Sequence, residues 1–242
     1  MKRRIAMLTA GLALAATPAF AQFAPWTDRG FVNVNVGTQD KARDESSTFA
    51  FGLYEENASV GVSRNVKGGS FPDVMGGVRL WKNTGLAAQF SARSAKSDAN
   101  LAGTVPDPLA YNSPRPVTST ASGLEHREQW FSIAGVYLLP LTNRLHLMMF
   151  GGPAVVKLHH DVIESATVAE SSADPAITIQ RSSLSRSVWG YMAGADLRFM
   201  FTAHLGVGAF ARMQAAKVNL PQGGLSVETG GGQAGGGVRI GF

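Results

Sequence analysis

Gly235-Gly236-Gly237-Val238-Arg239-Ile240-Gly241-Phe242 is the last stretch of the sequence, and it reads with a period of two. Val238, Ile240 and Phe242 fall on one face, and Gly237, Arg239 and Gly241 on the other. An apolar face opposite an arginine is ordinary for a strand. A terminal exposed aromatic is not, because a soluble protein gains little from it. A strand that closes a barrel in a bilayer gains a boundary anchor from it, since aromatic girdles mark both interfaces of such barrels.

The other end of the sequence points the same way. Met1-Lys2-Arg3-Arg4 is a positive n-region, residues 5–16 are apolar, and Ala19-Phe20-Ala21 is an A-x-A cleavage site. Residues 1–21 are therefore expected to be a secretory signal peptide cut after Ala21, leaving residues 22–242 as a single β-barrel domain. The apolar run is too short for a transmembrane helix, and no later stretch approaches the ~20 apolar residues one needs. The chain has no cysteine, which excludes disulfides, thiolate metal sites and a lipoprotein anchor. Cleavage removes Lys2, Arg3 and Arg4 and no acid, lowering the formal charge from +5 to +2. The basic balance thus belongs partly to the export signal, and no nucleic-acid partner is implied. The 28 glycines and 45% apolar content fit lipid-facing apolar residues alternating with small or polar lumen residues.

Alternation recurs along the chain. Val32, Val34 and Val36 oppose Asn33, Asn35 and Gly37; Val74, Val78 and Leu80 oppose Met75, Arg79 and Trp81. Leu86, Phe90 and Ala92 oppose Gln89 and Arg93; Leu197 and Phe199 oppose Asp196 and Arg198; Val207 and Met213 oppose Arg212 and Gln214. Trp26, in the lead before the first strand, is a candidate interface aromatic. Connections near residues 82–85, 140–143 and 200–204 are short, whereas 94–123, 161–185 and 220–231 read as long polar loops. Short turns alternating with long loops are the pattern of outer-membrane barrels, and a sandwich has no reason to segregate its turns by length.

On the C-terminal strand, the signal and this spacing, the mature chain resembles small bacterial outer-membrane barrels of the OmpA/OmpW type, a porin-like family. It is expected to lack the peptidoglycan-binding domain of full-length OmpA. The resemblance implies an all-β, antiparallel, up-and-down transmembrane barrel in the bacterial outer membrane. Its surroundings would be the lipid bilayer and lipopolysaccharide. It also implies that Val238, Ile240 and Phe242 form the signal recognised by the outer-membrane assembly machinery.

Strand number is open between eight and ten. Seven strands trace back from Phe242 to Val74, and an even number is usual. One bulged strand over 48–63 gives eight and leaves 31–37 outside the wall. A turn near 55–58 gives ten, keeps 31–37 in the wall and explains the phase change between Phe51 and Val60. The reading leans to ten.

Arg79, Arg93, Asp196, Arg198, Arg212 and Arg239 all take lumen parity, and buried arginines need carboxylate partners. Asp196, Glu55, Glu56 and Glu128 are the candidates. An ion-paired lumen that stiffens the barrel is favoured over an anion-preferring constriction. His159-His160-Asp161 marks the outer end of a strand, where adjacent histidines point to opposite faces and cannot easily share a metal. There is no G-x-S-x-G nucleophile motif, and the run Gly230–Gly237 is followed by no helix or Lys-Ser/Thr, so it is not a phosphate loop. No catalytic residue, cofactor or metal is therefore assigned. The first expectation is a non-enzymatic barrel acting in the envelope or through its long outer loops. The alternative is a narrow channel for small solutes, and a lipid- or peptide-modifying enzyme comes last.

Overall fold

The computed structural model describes residues 26–39, 43–66, 68–168, 175–219 and 226–242. The export signal assigned to residues 1–21 lies outside them. Ten strands follow in chain order: β1 (Gly30–Gln39), β2 (Arg43–Leu53), β3 (Glu56–Val66), β4 (Gly69–Trp81) and β5 (Thr84–Asp107), then β6 (Ala110–Pro140), β7 (Leu145–Val168), β8 (Ile177–Met200), β9 (Leu205–Asn219) and β10 (Ser226–Gly241).

Eight of the described strands close a ring in the order β1-β4-β5-β6-β7-β8-β9-β10, and β10 returns to β1. The closing seam runs from Phe31 opposite Gly241 to Gln39 opposite Gln233, every pair antiparallel. Below it, the carbonyl of Phe242 accepts from the amides of Arg29 and Gly30, and the Phe242 amide donates back to Gly30. Gly237 makes this seam possible, because a side chain there would run into the backbone of Val34 and Asn35.

The ring is inverted in polarity. Asn33, Asn35, Asp73, Gln89, Arg212 and Arg239 are buried inside it, while Val34, Val74, Phe90, Phe131, Leu197 and Val207 are exposed outside. Alternate residues of each strand necessarily point to opposite sides of the wall, so one set must meet lipid and the other the lumen. Trp81, Tyr137, Phe199, Phe201 and Phe242 edge the outer surface near the short turns; Phe90, Phe131, Trp189 and Tyr191 edge it at the far side. These are the two aromatic girdles of a barrel in a bilayer. Along β8 the outward face from Trp189 to Phe199 matches the ~9–11 residues that a tilted strand needs to cross.

The preference for ten wall strands is corrected to eight. A turn does join the halves of residues 48–63, at Tyr54 and Glu55, whose φ values of 52° and 61° make a tight left-handed connection. But β2 and β3 form a hairpin inserted between wall strands β1 and β4, and β3 pairs with the outer part of β5, Ser59 opposite Thr104 to Arg64 opposite Ala99. The physical reason is polarity. Val60 and Val62 are buried against apolar neighbours, whereas Ser59, Ser63 and Asn65 form the opposite face, which could not meet acyl chains. Residues 31–37, which the eight-strand alternative left outside, are in the wall.

Residues 94–123 and 161–185 are corrected as well. They are not simple loops: β5 and β6 continue as a paired ladder to a turn at Pro108 and Leu109, and β7 continues opposite β8 up to Val168. Above the pair His126–His160 the wall splits. One layer is β2-β3-β5-β6 and the other the β7–β8 hairpin, and Leu53, Val60, Val62, Leu101, Val117, Ala166 and Val168 pack between them. The barrel therefore carries a two-layered headpiece with an apolar core of its own. The third expected loop, 220–231, lies partly outside the described residues; from Ser226 onward it belongs to β10.

Candidate functional site

The lumen is filled in layers. At the short-turn end, Trp26 tucks inside with Phe31, Met75, Leu138, Met148 and Met192. Its amide donates to Asn83 Oδ1 at 3.3 Å, and its carbonyl accepts from Arg79. Trp26 is thus an inner cork, which corrects its reading as an interface aromatic.

Above the cork lies the first charged layer. Asp196 on β8 accepts from Arg239 on β10, Nε at 2.9 Å to Oδ2 and Nη2 at 2.8 Å to Oδ1. The same carboxylate accepts from Arg198 Nε at 3.2 Å and Asn33 Nδ2 at 3.1 Å, and Arg239 Nη1 donates to Asn35 at 2.6 Å. Arg198 also stacks on the Phe31 ring, 4.5 Å from its centroid. Gly208 leaves the room for this: a Cβ there would stand 2.6 Å from Arg239 Nε and from the Leu197 carbonyl.

The second layer is built on Asp73. Arg212 Nη1 donates to both of its oxygens at 2.7 and 2.8 Å, and Gln89 donates at 3.3 Å. Arg212 Nε reaches Gln233, which donates to Gln39, which in turn donates to the Gly230 carbonyl. Two arginine–carboxylate groups therefore cross-brace strands that are not neighbours in the ring, β8 to β10 and β9 to β4. Buried pairs of this kind are costly to break, because either partner alone is an uncompensated charge.

A third layer joins barrel and headpiece. Glu128 accepts from His126 Nε2 at 2.8 Å, Trp130 Nε1 at 3.1 Å and Thr229 at 2.8 Å. His126 Nδ1 and His160 Nδ1 share a hydrogen bond of 2.8 Å. His160 Nε2 faces Glu45 of β2 at 3.2 Å and Arg64 of β3 at 3.3 Å. Arg64 further donates to Ser97 and to the carbonyls of Asp161 and Leu124, so one side chain pins the inserted hairpin to β5, β6 and β7. Burial alone would raise the Glu45 carboxyl, but the hydrogen bond from His160 and the charges of His160 and Arg64 outweigh it and hold it below its ordinary value. Asp161 is likewise held low, against its burial, by the Glu125 amide, the Ser183 hydroxyl and the charges of His159 and Arg64.

Of the six residues placed in the lumen network from the sequence, Asp196, Arg198 and Arg239 meet in one layer and Arg212 heads another. Arg93 is buried in the lumen, opposite Glu128 in register. Arg79 is the exception. It is half-buried at the short-turn end and serves the Trp26 carbonyl, apart from both carboxylate layers. Glu55 and Glu56 are not lumen partners either. They stand at the tip of the β2–β3 hairpin, where Glu56 caps the Asn112 amide. His160 points inward and His159 outward, as adjacent strand residues must. Asp73, the partner of Arg212, was missed, although it shares the parity of Phe71 and Met75, both buried. Glu45, Arg64 and His126 were missed because their meeting depends on a pairing remote in sequence. Val238 and Ile240 lie on the outer face of β10, and Phe242 follows them there.

A closed antiparallel ring, apolar outside between two aromatic girdles and charged inside, defines an integral β-barrel of the bacterial outer membrane. No protein-family model matches the sequence, and no curated protein does. Solved structures of the same kind are similar in shape. OprG from Pseudomonas aeruginosa is 10% identical with a TM-score of 0.45, over 89% of this chain and 96% of that one. Neisserial surface protein A is 12% identical at 0.44, over 88% and 97%. Ail, the attachment invasion locus protein of Yersinia pestis, is 13% identical at 0.39, over 88% and 99%.

Proposed function

We propose that this protein is a non-catalytic outer-membrane barrel whose headpiece is its working surface, held at a fixed height and orientation by the filled lumen beneath it. The headpiece carries the reading: strands that need not leave the membrane continue outward and enclose an apolar core. Its apex is built to present apolar groups. Leu109 and Tyr111 are 87% and 86% exposed at the β5–β6 turn. Asp107 fixes the Leu109 amide, and Glu56 fixes that of Asn112, whose φ is 58°. Exposed apolar pairs on a rigid tip suit contact with another macromolecule. Residues 1–21 serve export in this reading, and the strand ending Val238, Ile240 and Phe242 serves assembly into the membrane.

The layers from Trp26 to Glu128 argue against a solute channel, since eight strands enclose a space that side chains can fill. Planar-bilayer recording of the refolded chain tests this. We expect a folded, heat-modifiable protein without discrete openings. Stable unitary conductance that changes selectivity in Arg212→Ala or Arg239→Ala would replace this reading with a narrow pore.

A further inference from the structure

The outward face of β5, β6, β7 and β8 changes character in a single step above the upper aromatic girdle. On β5, Phe90 gives way to Ala92 and Ser94; on β6, Phe131 to Gln129 and Arg127; on β7, Val155 to Lys157 and His159; on β8, Trp189 to Ser187 and Ser185. The cations in this zone are neighbours. Arg127 is paired directly across from His159 on β7 and from Ser94 on β5. Lys157, paired with Gln129, and Lys96, paired with Glu125, are its diagonal neighbours on either side. Diagonal pairs on one face of a sheet stand about 7–8 Å apart, within reach of long side chains. Arg127, Lys157 and Lys96 are all exposed, and they run as a diagonal line across β5, β6 and β7 above the apolar belt, with Lys157 nearest to it.

Three carboxylates adjoin this group, and all are tied down at its upper margin: Asp98, two residues beyond Lys96, accepts from the Gly123 amide at 2.9 Å. Glu125 Oε1 accepts from Arg127 Nη2 at 2.9 Å and from Ser94 at 3.4 Å. Asp161 accepts from the Glu125 amide and from Ser183, each at 2.9 Å. The lower margin, facing the belt, holds Lys157 with Gln129 and Ser187 and no acid. Anything bound there would have its charge beside Lys157 and Arg127 and its apolar part against Phe90, Phe131 and Ile133, which are exposed directly below.

We propose that this face is a binding site for the phosphorylated, acylated disaccharide that anchors lipopolysaccharide in the outer leaflet. This rests on the reading of the chain as an outer-membrane barrel and adds to it a side of the wall, a headgroup chemistry and named residues. Height and charge together select the ligand. A phosphate carried on acyl chains sits at the boundary between belt and water, where these cations are. Charge-assisted bonds from Arg and Lys to phosphate are the strong kind, and Arg127 supplies the planar fork that such an oxyanion accepts.

The test is titration of the full refolded chain, in zwitterionic micelles, with bis-phosphorylated lipid A, its dephosphorylated form and inorganic phosphate. Arg127→Gln and Lys157→Gln are compared with Lys217→Gln, an exposed cation on β9, on the far side of β8 from Lys157 and outside the cluster. We expect phosphorylated lipid A to bind at least tenfold more tightly than the dephosphorylated form. Arg127→Gln and Lys157→Gln should each weaken it about tenfold, in line with loss of a charged hydrogen bond, while Lys217→Gln binds as the parent does. Equal binding of the two lipids would overturn the site. So would an equal loss in Lys217→Gln, which would mean diffuse charge, or full competition by inorganic phosphate, which would mean a free-anion site. Heat-modifiable folding in every variant shows that the barrel itself stands, whichever way the titration falls.

Discussion

Arg239 of β10 and Asp196 of β8 meet inside the ring with β9 between them, Nη2 to Oδ1 at 2.8 Å and Nε to Oδ2 at 2.9 Å, both side chains almost wholly buried. The carboxylate also receives Arg198, so two guanidinium groups depend on one acid. Asp196→Ala should therefore destabilise the barrel by about 3–5 kcal/mol, the range for removing one partner of a buried ion pair. The triple variant Asp196→Leu, Arg198→Leu, Arg239→Leu should lose less than that single change, since no uncompensated charge remains. Urea unfolding in lipid vesicles gives both values. A loss below about 1 kcal/mol for Asp196→Ala would mean that water reaches the layer and solvates it.

The cork at the short-turn end makes a separate prediction. Trp26 is buried against Phe31, with ring centroids 5.9 Å apart, below the first charged layer. Trp26→Ala should cost about 3–5 kcal/mol, as large aromatic truncations in cores do. It should not make the barrel conduct, because the Asp196 and Asp73 layers still close the lumen above it. Openings in Trp26→Ala alone would place the only seal at the cork.

Acid should loosen the headpiece before the barrel. Glu45 and Asp161 both titrate below their ordinary values in the folded protein. Groups of that kind contribute stability that is fully present above their unfolded pKa of about 4–4.5 and is lost as pH falls through the lower folded value. The part of the β2–β3 docking that Glu45 and Asp161 contribute should thus weaken as pH falls below about 4.5. Hydrogen exchange of the β3 amides, corrected for intrinsic rates, should show loss of protection there while β9 and β10 stay protected. Glu45→Gln should remove most of that dependence; an unchanged profile would assign the latch to Arg64 and its carbonyl partners alone.

How much of this was legible depends on whether a residue's role is set by its own strand or by a distant one. The faces of Arg198, Arg212 and Arg239 follow from alternation within single strands, and all three are buried in the lumen. Asp73 was missed because the alternation of this strand was read only from Val74 onward. In the barrel Pro72 stands opposite Val36 of β1, and the pairing with β5 begins only at Asp73, so Pro72 lies just beyond that ladder. The turn between Phe51 and Val60 was readable from the phase change, but its place outside the wall was not, since that depends on Ser59 meeting Thr104. The His126–His160 contact needs the β6–β7 register, and β6 is largely apolar on both faces from Trp130 to Leu139, which leaves that register unmarked.

The orientation and the rigidity of the outer ladders can be tested together with protease on intact cells. Residues 94–123 form a paired ladder over most of their length, and nicking concentrates at exposed tips free of such pairing. Cleavage should therefore concentrate at the apex, with chymotrypsin cutting at Leu109 or Tyr111, the most exposed large apolar side chains among the described residues. Lys96 lies lower in the same ladder, paired opposite Glu125, and should resist trypsin although its side chain is exposed. Lys82, in the short turn, should be untouched by trypsin in intact cells and cut only after the envelope is opened. Early cleavage at Lys82 from outside would reverse the orientation. Cleavage spread evenly across 94–123 would mean that the headpiece opens in solution and that its apolar core does not hold the layers together.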